Sequence, residues 1–173
     1  ALMEEALSET VETQANLWNN ARLIEHLQDL NGTNRDTLPR QALISGNNTK
    51  WDLVILQDLS TLPAYTFSPL WNESRDAGAE MSKLIGPTGA VTMFLHTWGR
   101  QMGLGPDEFF SDYPKMQEYL NFGYREYQKA ANNPPSFVAP AGIAFQLIYD
   151  DTIAAGGTAA SPPFSDLYKG DGS

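Results

Sequence analysis

The chain has 173 residues, and its 11 Lys and Arg against 21 Asp and Glu give a formal net charge of −10 at pH 7. It contains no cysteine, which excludes disulfides, thiolate catalysis and zinc sites built on sulfur. The acidic balance disfavours nucleic acid as a partner, and no apolar run reaches the roughly 18 residues of a membrane span.

The first half of the chain predicts a helix, a loop, a strand and a second helix, in that order. Residues 17–30 carry apolar side chains near helical spacing and end at an Asn-Gly stop. Residues 32–50 have no periodicity, which is typical of a loop. Residues 51–57 (WDLVILQ) form an apolar run that suits a strand buried on both faces of a parallel sheet. Residues 73–85 then predict a helix that ends at Gly-Pro.

The second half continues the alternation of strands and helices. We predict strands at residues 89–96 and 137–140, with helices at residues 114–131 and 141–154. Strands joined by helices through right-handed crossovers form a parallel sheet with helices on both faces. The expected fold is therefore a single three-layer α/β/α domain that spans residues 1–173. The Gly- and Pro-rich residues 156–163 are expected to form a loop near the active edge.

Ligands of open α/β sheets bind beyond the carboxyl ends of the strands, so this rule selects candidate site residues. The candidates that follow the three predicted strands are Gln57, Asp58 and Ser60, then His96, Thr97, Trp98 and Arg100, then Pro140, Ala141 and Gly142.

Each polar candidate has a structural alternative. Gln57 either donates a hydrogen bond into a pocket or satisfies a nearby loop. Ser60 is a substrate contact or, by the habit of serine, a turn residue. His96 lines the pocket or is structural, since no base partner can be identified for it. His26 lies on the first predicted helix and is interpreted as a surface or packing residue. Two histidines so placed give no metal motif.

Two further groups of side chains offer other contacts. Trp98 and Arg100 are suited to a sugar or acyl group, or else pack within their loop. The other tryptophans are expected to pack in the core or at its edge: Trp18, Trp51 and Trp71. An aromatic cluster on the helix at 114–131 and the segment before it is interpreted as a buried helix face, whose exposed part would mark a partner surface: Phe109, Phe110, Tyr113, Tyr119, Phe122, Tyr124 and Tyr127.

Three N-glycosylation sequons, at Asn31, Asn47 and Asn72, favour an extracellular or secretory-pathway location. Two of them border or lie in the polar loop at residues 32–50, where a glycan would not disturb a core. The absence of cysteine favours the opposite conclusion.

Four segments, taken together, resemble the SGNH hydrolase superfamily, also called GDSL-type esterases, and in particular an uncharacterised branch of it. They occur in the family's order and mostly at predicted strand ends: residues 51–60 (WDLVILQDLS), 94–100 (FLHTWGR), 138–145 (VAPAGIAF) and 167–173 (LYKGDGS).

The resemblance implies a serine esterase site on a flavodoxin-like sheet, without a cofactor. Asp171 matches the acid of the family's Asp-x-x-His motif, although it would otherwise be an ordinary turn residue between two glycines. Gln57 corresponds to an amide that helps to form the oxyanion hole. The family's nucleophile block would precede Ala1 and its histidine would follow Ser173, so we expect a domain that is partial at both ends and that has no complete triad.

Two functions therefore remain open. The first is a secreted esterase that removes acyl groups from a small ester or an acylated carbohydrate, with the O-acetyl groups of glycans as one candidate substrate. The second is a non-catalytic, structural or carbohydrate-binding domain that assembles with other extracellular glycoproteins. A shared fold does not establish activity.

Overall fold

The computed structural model describes residues 11–17, 19–32, 43, 50–105 and 109–168. Across these residues the helices are α1 (Leu23–Leu30), α2 (Pro69–Ile85), α3 (Tyr113–Ala130) and α4 (Ala141–Ala154). The strands are β1 (Leu53–Leu56), β2 (Val91–Leu95) and β3 (Ser136–Ala139). Three short 3-10 turns complete the described elements: Leu62–Ala64, Gly86–Thr88 and Ser165–Leu167.

The three strands form one parallel sheet in the order β1-β2-β3. Leu53 pairs with Val91, and Met93 pairs with Phe137. Helix α2 connects β1 to β2 and α3 connects β2 to β3, so both crossovers advance in the same direction and place their helices on the same face. This arrangement confirms the predicted α/β class with a parallel sheet flanked by helices.

The two faces of the sheet differ in burial. Leu56, Thr92 and Phe94 point toward α2 and α3 and are buried. The alternate side chains are half-exposed: Leu53 (41%), Ile55 (56%), Val91 (40%) and Phe137 (52%). The prediction that the strand at residues 51–57 is buried on both faces is therefore wrong, because the described helices that contact the strands pack on one side. We call these four residues the open sheet face.

Helix α1 begins at Leu23, six residues later than predicted. Asn20 has a φ of 61°, in the left-handed region, which interrupts any helix at that position. Arg22 is the N-cap residue, and the Glu25 carboxylate accepts its backbone N–H and its guanidinium at 2.5 and 2.6 Å. These local contacts stabilise the start of the helix together with the bond from the Leu23 N–H to Asp58.

Helix α2 begins at Pro69, four residues before the predicted start. The Ser68 hydroxyl accepts the Leu70 N–H at 3.2 Å. Pro69 occupies the first helical position, where a backbone N–H would have no partner within the helix, so the N–H that proline lacks is not missed. The other predicted elements agree to within two residues at each end. Helix α4 has the predicted bounds.

The core contains two clusters. The larger lies between the sheet and helices α1, α2 and α3 and includes the buried Trp71, while Trp51 is half-buried at its edge. The smaller cluster packs Tyr113, Phe164 and Tyr168 against α4. The Tyr168 hydroxyl donates to the Gly99 carbonyl at 2.6 Å, which ties residues 164–168 to the loop after β2.

One buried carboxylate joins four parts of the fold. Asp58 follows β1, is 2% exposed, and accepts hydrogen bonds from four donors: the Leu23 N–H (3.1 Å), the Leu59 N–H (2.9 Å), the Ser74 hydroxyl (2.9 Å) and the Tyr127 hydroxyl (2.7 Å). Burial raises the pKa of this carboxyl above its usual value, against the effect of these bonds. Asp58 thus connects α1, α2 and α3 to the end of β1.

We expect Asp58→Ala to lower the free energy of unfolding by about 3 kcal/mol or more, because it leaves buried donors without an acceptor. Urea denaturation followed by circular dichroism measures this loss. Asp76→Ala is the matched control, since Asp76 is exposed on α2 in a surface ion pair with Arg75 and such pairs contribute about 1 kcal/mol at most. Equal unfolding midpoints for the two variants would contradict the role of Asp58.

Candidate functional site

A cleft of about 320 Å³ lies beyond the carboxyl end of β1. One wall is the loop from Gln57 to Ser60. The other consists of His26 of α1 and five residues before the helix: Asn16, Leu17, Asn19, Asn20 and Ala21. The volume is at the lower end of the roughly 300–1,000 Å³ that small-molecule sites occupy. The position is the one that the rule for parallel sheets predicts.

Apart from Asp58, the described lining of the cleft is uncharged, and it combines polar residues with the apolar Leu17, Ala21 and Leu59. It presents the side-chain amides of Asn16, Asn19, Asn20 and Gln57, the hydroxyl of Ser60 and the imidazole of His26. No Lys or Arg is among these lining residues. Their one carboxylate belongs to Asp58, whose oxygens already accept four hydrogen bonds. The cleft is therefore suited to a neutral ligand with hydroxyl or amide groups.

Gln57 and Ser60 are both exposed and both line the cleft. Their loop is fixed at two points. The Leu59 N–H donates to Asp58, and the Thr97 hydroxyl donates to the Ser60 carbonyl at 2.9 Å. The loop after β1 is thus tied to the end of β2, and the two predicted site residues occupy defined positions.

His96 lies at the end of β2 and is 3% exposed. It is not among the residues that line the cleft. Its ring centroid is 4.9 Å from that of Tyr124, and the Gln117 Nε2 lies 3.3 Å from its Nε2. Burial lowers the pKa of His96 to about 4, and the charge of Arg125 acts in the same direction. The imidazole is therefore neutral at pH 7.

Gln117 continues a polar network from His96 into α4. Its amide oxygen accepts the Gly99 N–H at 2.9 Å, which leaves the amide nitrogen to donate to Asn121 at 2.8 Å and to face His96. Asn121 in turn donates to Gln146 of α4 at 3.0 Å. The network closes the sheet edge at β2 with hydrogen-bonded side chains.

Gly142 allows α4 to approach this edge. Its N–H donates to the His96 carbonyl at 2.9 Å, and a Cβ at this position would lie 2.3 Å from the Thr97 carbonyl oxygen. Every other residue would therefore push α4 away from β2.

Trp98 and Arg100 lie away from the cleft walls. Trp98 stacks on Phe145 of α4, with ring centroids 4.3 Å apart and 7° between the planes. Arg100 is exposed, and its backbone N–H donates to the Met116 sulfur at 3.3 Å. A substrate contact of either side chain stays a prediction.

The aromatic cluster of the sequence is mostly buried, as its interpretation requires. Its exposed members are Phe109 (41%) and Phe122 (47%). The ring centroid of Phe109 lies 5.1 Å from that of the exposed Phe67.

Of the remaining predicted residues, three fall outside the part of the chain that the structure describes and two fall within it. Asp171, Asn47 and Trp18 lie outside the described residues. Asn31 is exposed directly after α1, and Asn72 is exposed in the first turns of α2, where its Nδ2 lies 3.5 Å from the Ser68 carbonyl. Both asparagines are accessible, and their glycosylation stays a prediction.

The sequence did not identify the second wall of the cleft. His26 was interpreted as a surface or packing residue, but it is half-buried in the cleft wall, where burial lowers its pKa while Asp29 and Glu25 oppose that shift. Asn19 and Asn20 were placed inside a helix. Two adjacent asparagines favour a turn. The helix prediction instead followed the apolar spacing on either side of them.

Within the part of the chain that the structure describes, no three His, Cys, Asp or Glu side chains converge on a metal site. None of the described helices combines the length and the apolar character that crossing a membrane requires.

No protein-family model matches the chain, and no curated protein matches it. A solved structure does: a protein from Slackia heliotrinireducens that is described as a putative SGNH hydrolase. The two are 23% identical, with a TM-score of 0.58, over 85% of this chain and 74% of that one. The chain therefore has an SGNH hydrolase-like fold.

The low pKa of His96 makes stability depend on pH. Its folded pKa of about 4 lies below the ordinary 6.5, so the native state binds fewer protons than the unfolded chain between these values. We expect the free energy of unfolding to fall as pH drops from about 6.5 toward 4, and His96→Gln to remove part of this slope.

Urea denaturation at pH 7 and pH 5 measures that slope, and NMR titration of the imidazole signals measures the pKa. His26→Gln reports the contribution of the other histidine, and it assigns the two signals. An NMR midpoint near 6.5 for His96 would refute the expectation.

Proposed function

We propose that the chain is part of an SGNH-type serine esterase domain of an extracellular glycoprotein, and that it hydrolyses acyl esters of carbohydrates, O-acetyl groups among them. The observation that carries the proposal is the cleft beyond β1, with Gln57 and Ser60 in its wall, on an SGNH hydrolase-like fold.

The proposed reaction proceeds through an acyl-enzyme. A serine oxygen attacks the ester carbonyl carbon while an imidazole takes its proton, and the alcohol leaves with that proton. Water then attacks the acyl-serine by the same route and releases the acid. If the whole protein contains the family's serine and histidine, Asp171 would orient the imidazole.

Gln57 would donate its amide N–H to the oxyanion that forms on the carbonyl oxygen. Such a donor is effective when it is held in place before the reaction, since it then needs no reorganisation. The contacts that fix the loop after β1 support this role: Leu59 N–H to Asp58, and the Thr97 hydroxyl to the Ser60 carbonyl. Ser60 would contact the substrate beside it.

A second candidate function is a non-catalytic domain that assembles with other extracellular glycoproteins. The open sheet face favours it, because the residues Ile55 and Phe137 are each more than half exposed. Exposed apolar surface of this kind marks interaction sites.

The esterase proposal is tested on the protein isolated from its source and on variants of the same full chain. Release of p-nitrophenol from p-nitrophenyl acetate, and of acetate from acetylated sugars, reports turnover. We expect Gln57→Leu to lower kcat about 10²- to 10³-fold and Asp171→Asn to lower it about 10⁴-fold.

Asp166→Asn and Gln28→Leu are the matched controls, because both residues are exposed and lie outside the cleft walls. Both should retain full activity. Absence of turnover in the folded natural protein, or equal effects of the test and control variants, would exclude the esterase and favour the second candidate.

The extracellular location predicts glycans at Asn31, Asn47 and Asn72. Peptide mapping after enzymatic deglycosylation in ¹⁸O-water should show Asn converted to labelled Asp at these positions. Asn16 and Asn19, which lie outside sequons, serve as unlabelled controls. Three unmodified sequons in the natural protein would remove this support for the secretory pathway.

A further inference from the structure

We infer that Asn16, Asn19, Asn20 and His26 form a recognition wall for a neutral carbohydrate, which the cleft holds opposite Gln57 and Ser60. The ligand class of this inference rests on the proposed function. The inference adds that α1 and the turn before it select the substrate.

The chemistry of the lining selects the ligand class. A sugar hydroxyl both donates and accepts a hydrogen bond, and a side-chain amide offers both partners as well. The cleft has four amides in its described lining. Without a Lys or Arg among those residues, a phosphate or carboxylate would enter with no opposite charge to balance its loss of hydration.

The turn before α1 supplies two of these amides. Asn20 has a φ of 61°, a conformation that costs most side chains free energy and that asparagine tolerates well. This left-handed turn stands in the cleft wall rather than at a remote surface. Strained backbone concentrates at ligand sites, where the surrounding structure maintains it.

His26 adds a neutral ring to the same wall. Burial of the ring favours this neutral form. Glu25 and Asp29 of its own helix oppose that effect, and Asp58 lies across the cleft with its oxygens already bonded.

The two walls are joined through one side chain. Asp58 accepts the Leu23 N–H at the start of α1 and the Leu59 N–H in the opposite loop. The spacing between the walls is therefore set before a ligand arrives, which lowers the entropy that binding must overcome. An interaction between a free peptide and this cleft is the competing possibility, since peptide groups also donate and accept.

The histidines provide a direct readout, since the chain has only two. His26 lies in the cleft, whereas His96 is buried and outside its lining, so the His96 imidazole signal is an internal reference. The probes are glucose, galactose, mannose, N-acetylglucosamine, lactose and chitobiose at up to 50 mM, followed by NMR. Inorganic phosphate and acetyl-glycyl-glycinamide are the comparison probes.

We expect at least one of the sugars to shift the His26 signal in a saturable manner while the His96 signal stays in place. Sugars that leave His26 unmoved would overturn the inference. A shift caused by the peptide amide or by phosphate, and by no sugar, would equally overturn it.

Asn20→Gly removes the side-chain amide and keeps the backbone of the turn, because glycine adopts the left-handed conformation freely. The loss of one hydrogen bond should raise the Kd for the sugar about five- to tenfold. Asn31→Gly is the matched control, since Asn31 is exposed beyond α1 and outside the cleft. Equal affinities for the two variants would count against the wall.

Failure of this inference differs from failure of the proposed function. Saturable sugar binding without ester turnover would keep the recognition wall and reject the esterase. Turnover of p-nitrophenyl acetate with no sugar response at His26 would keep the esterase and reject the wall.

Discussion

The burial of Asp58 is the constraint on which the rest of the structure depends. A carboxylate removed from water is costly unless donors replace its hydration, and here they come from α1, α2, α3 and its own loop. These elements must therefore meet at one point. That point lies at the end of β1, so the contact that organises the core also forms the floor between the two walls of the cleft.

The carboxyl edge of the sheet is built differently at β1 and at β2. Beyond β1, the side chains of Gln57 and Ser60 remain exposed. Beyond β2, the neutral His96 ring is enclosed by Gln117, Tyr124 and the close approach of Gly142. The polar groups at β2 bond to one another. The side chains of this sheet edge that remain exposed to a ligand are therefore those of Gln57 and Ser60 beyond β1.

The sequence predicted the elements whose signals are local. Helix α4 and the three strands follow from apolar runs and the turns between them. The predicted start of α1 was wrong because the observed start also depends on Asp58, which lies 35 residues away from Leu23. Gly123 shows the same limit, since a Cβ there would lie 1.8 Å from the Pro63 carbonyl oxygen, a close approach that no local pattern reveals. The cleft wall around His26 was missed for this reason too, because only the tertiary fold brings it opposite Gln57.

The open sheet face and the cleft are neighbouring surfaces. Alternation along β1 places Leu53 and Ile55 on the open face, and Gln57 follows two residues later and is also exposed. An element that covers Ile55 therefore lies beside Gln57, and the removal of these apolar side chains from water, at about 25 cal/mol per Å², would favour its binding. An element packed on the open face would thus lie next to the cleft wall that Gln57 forms.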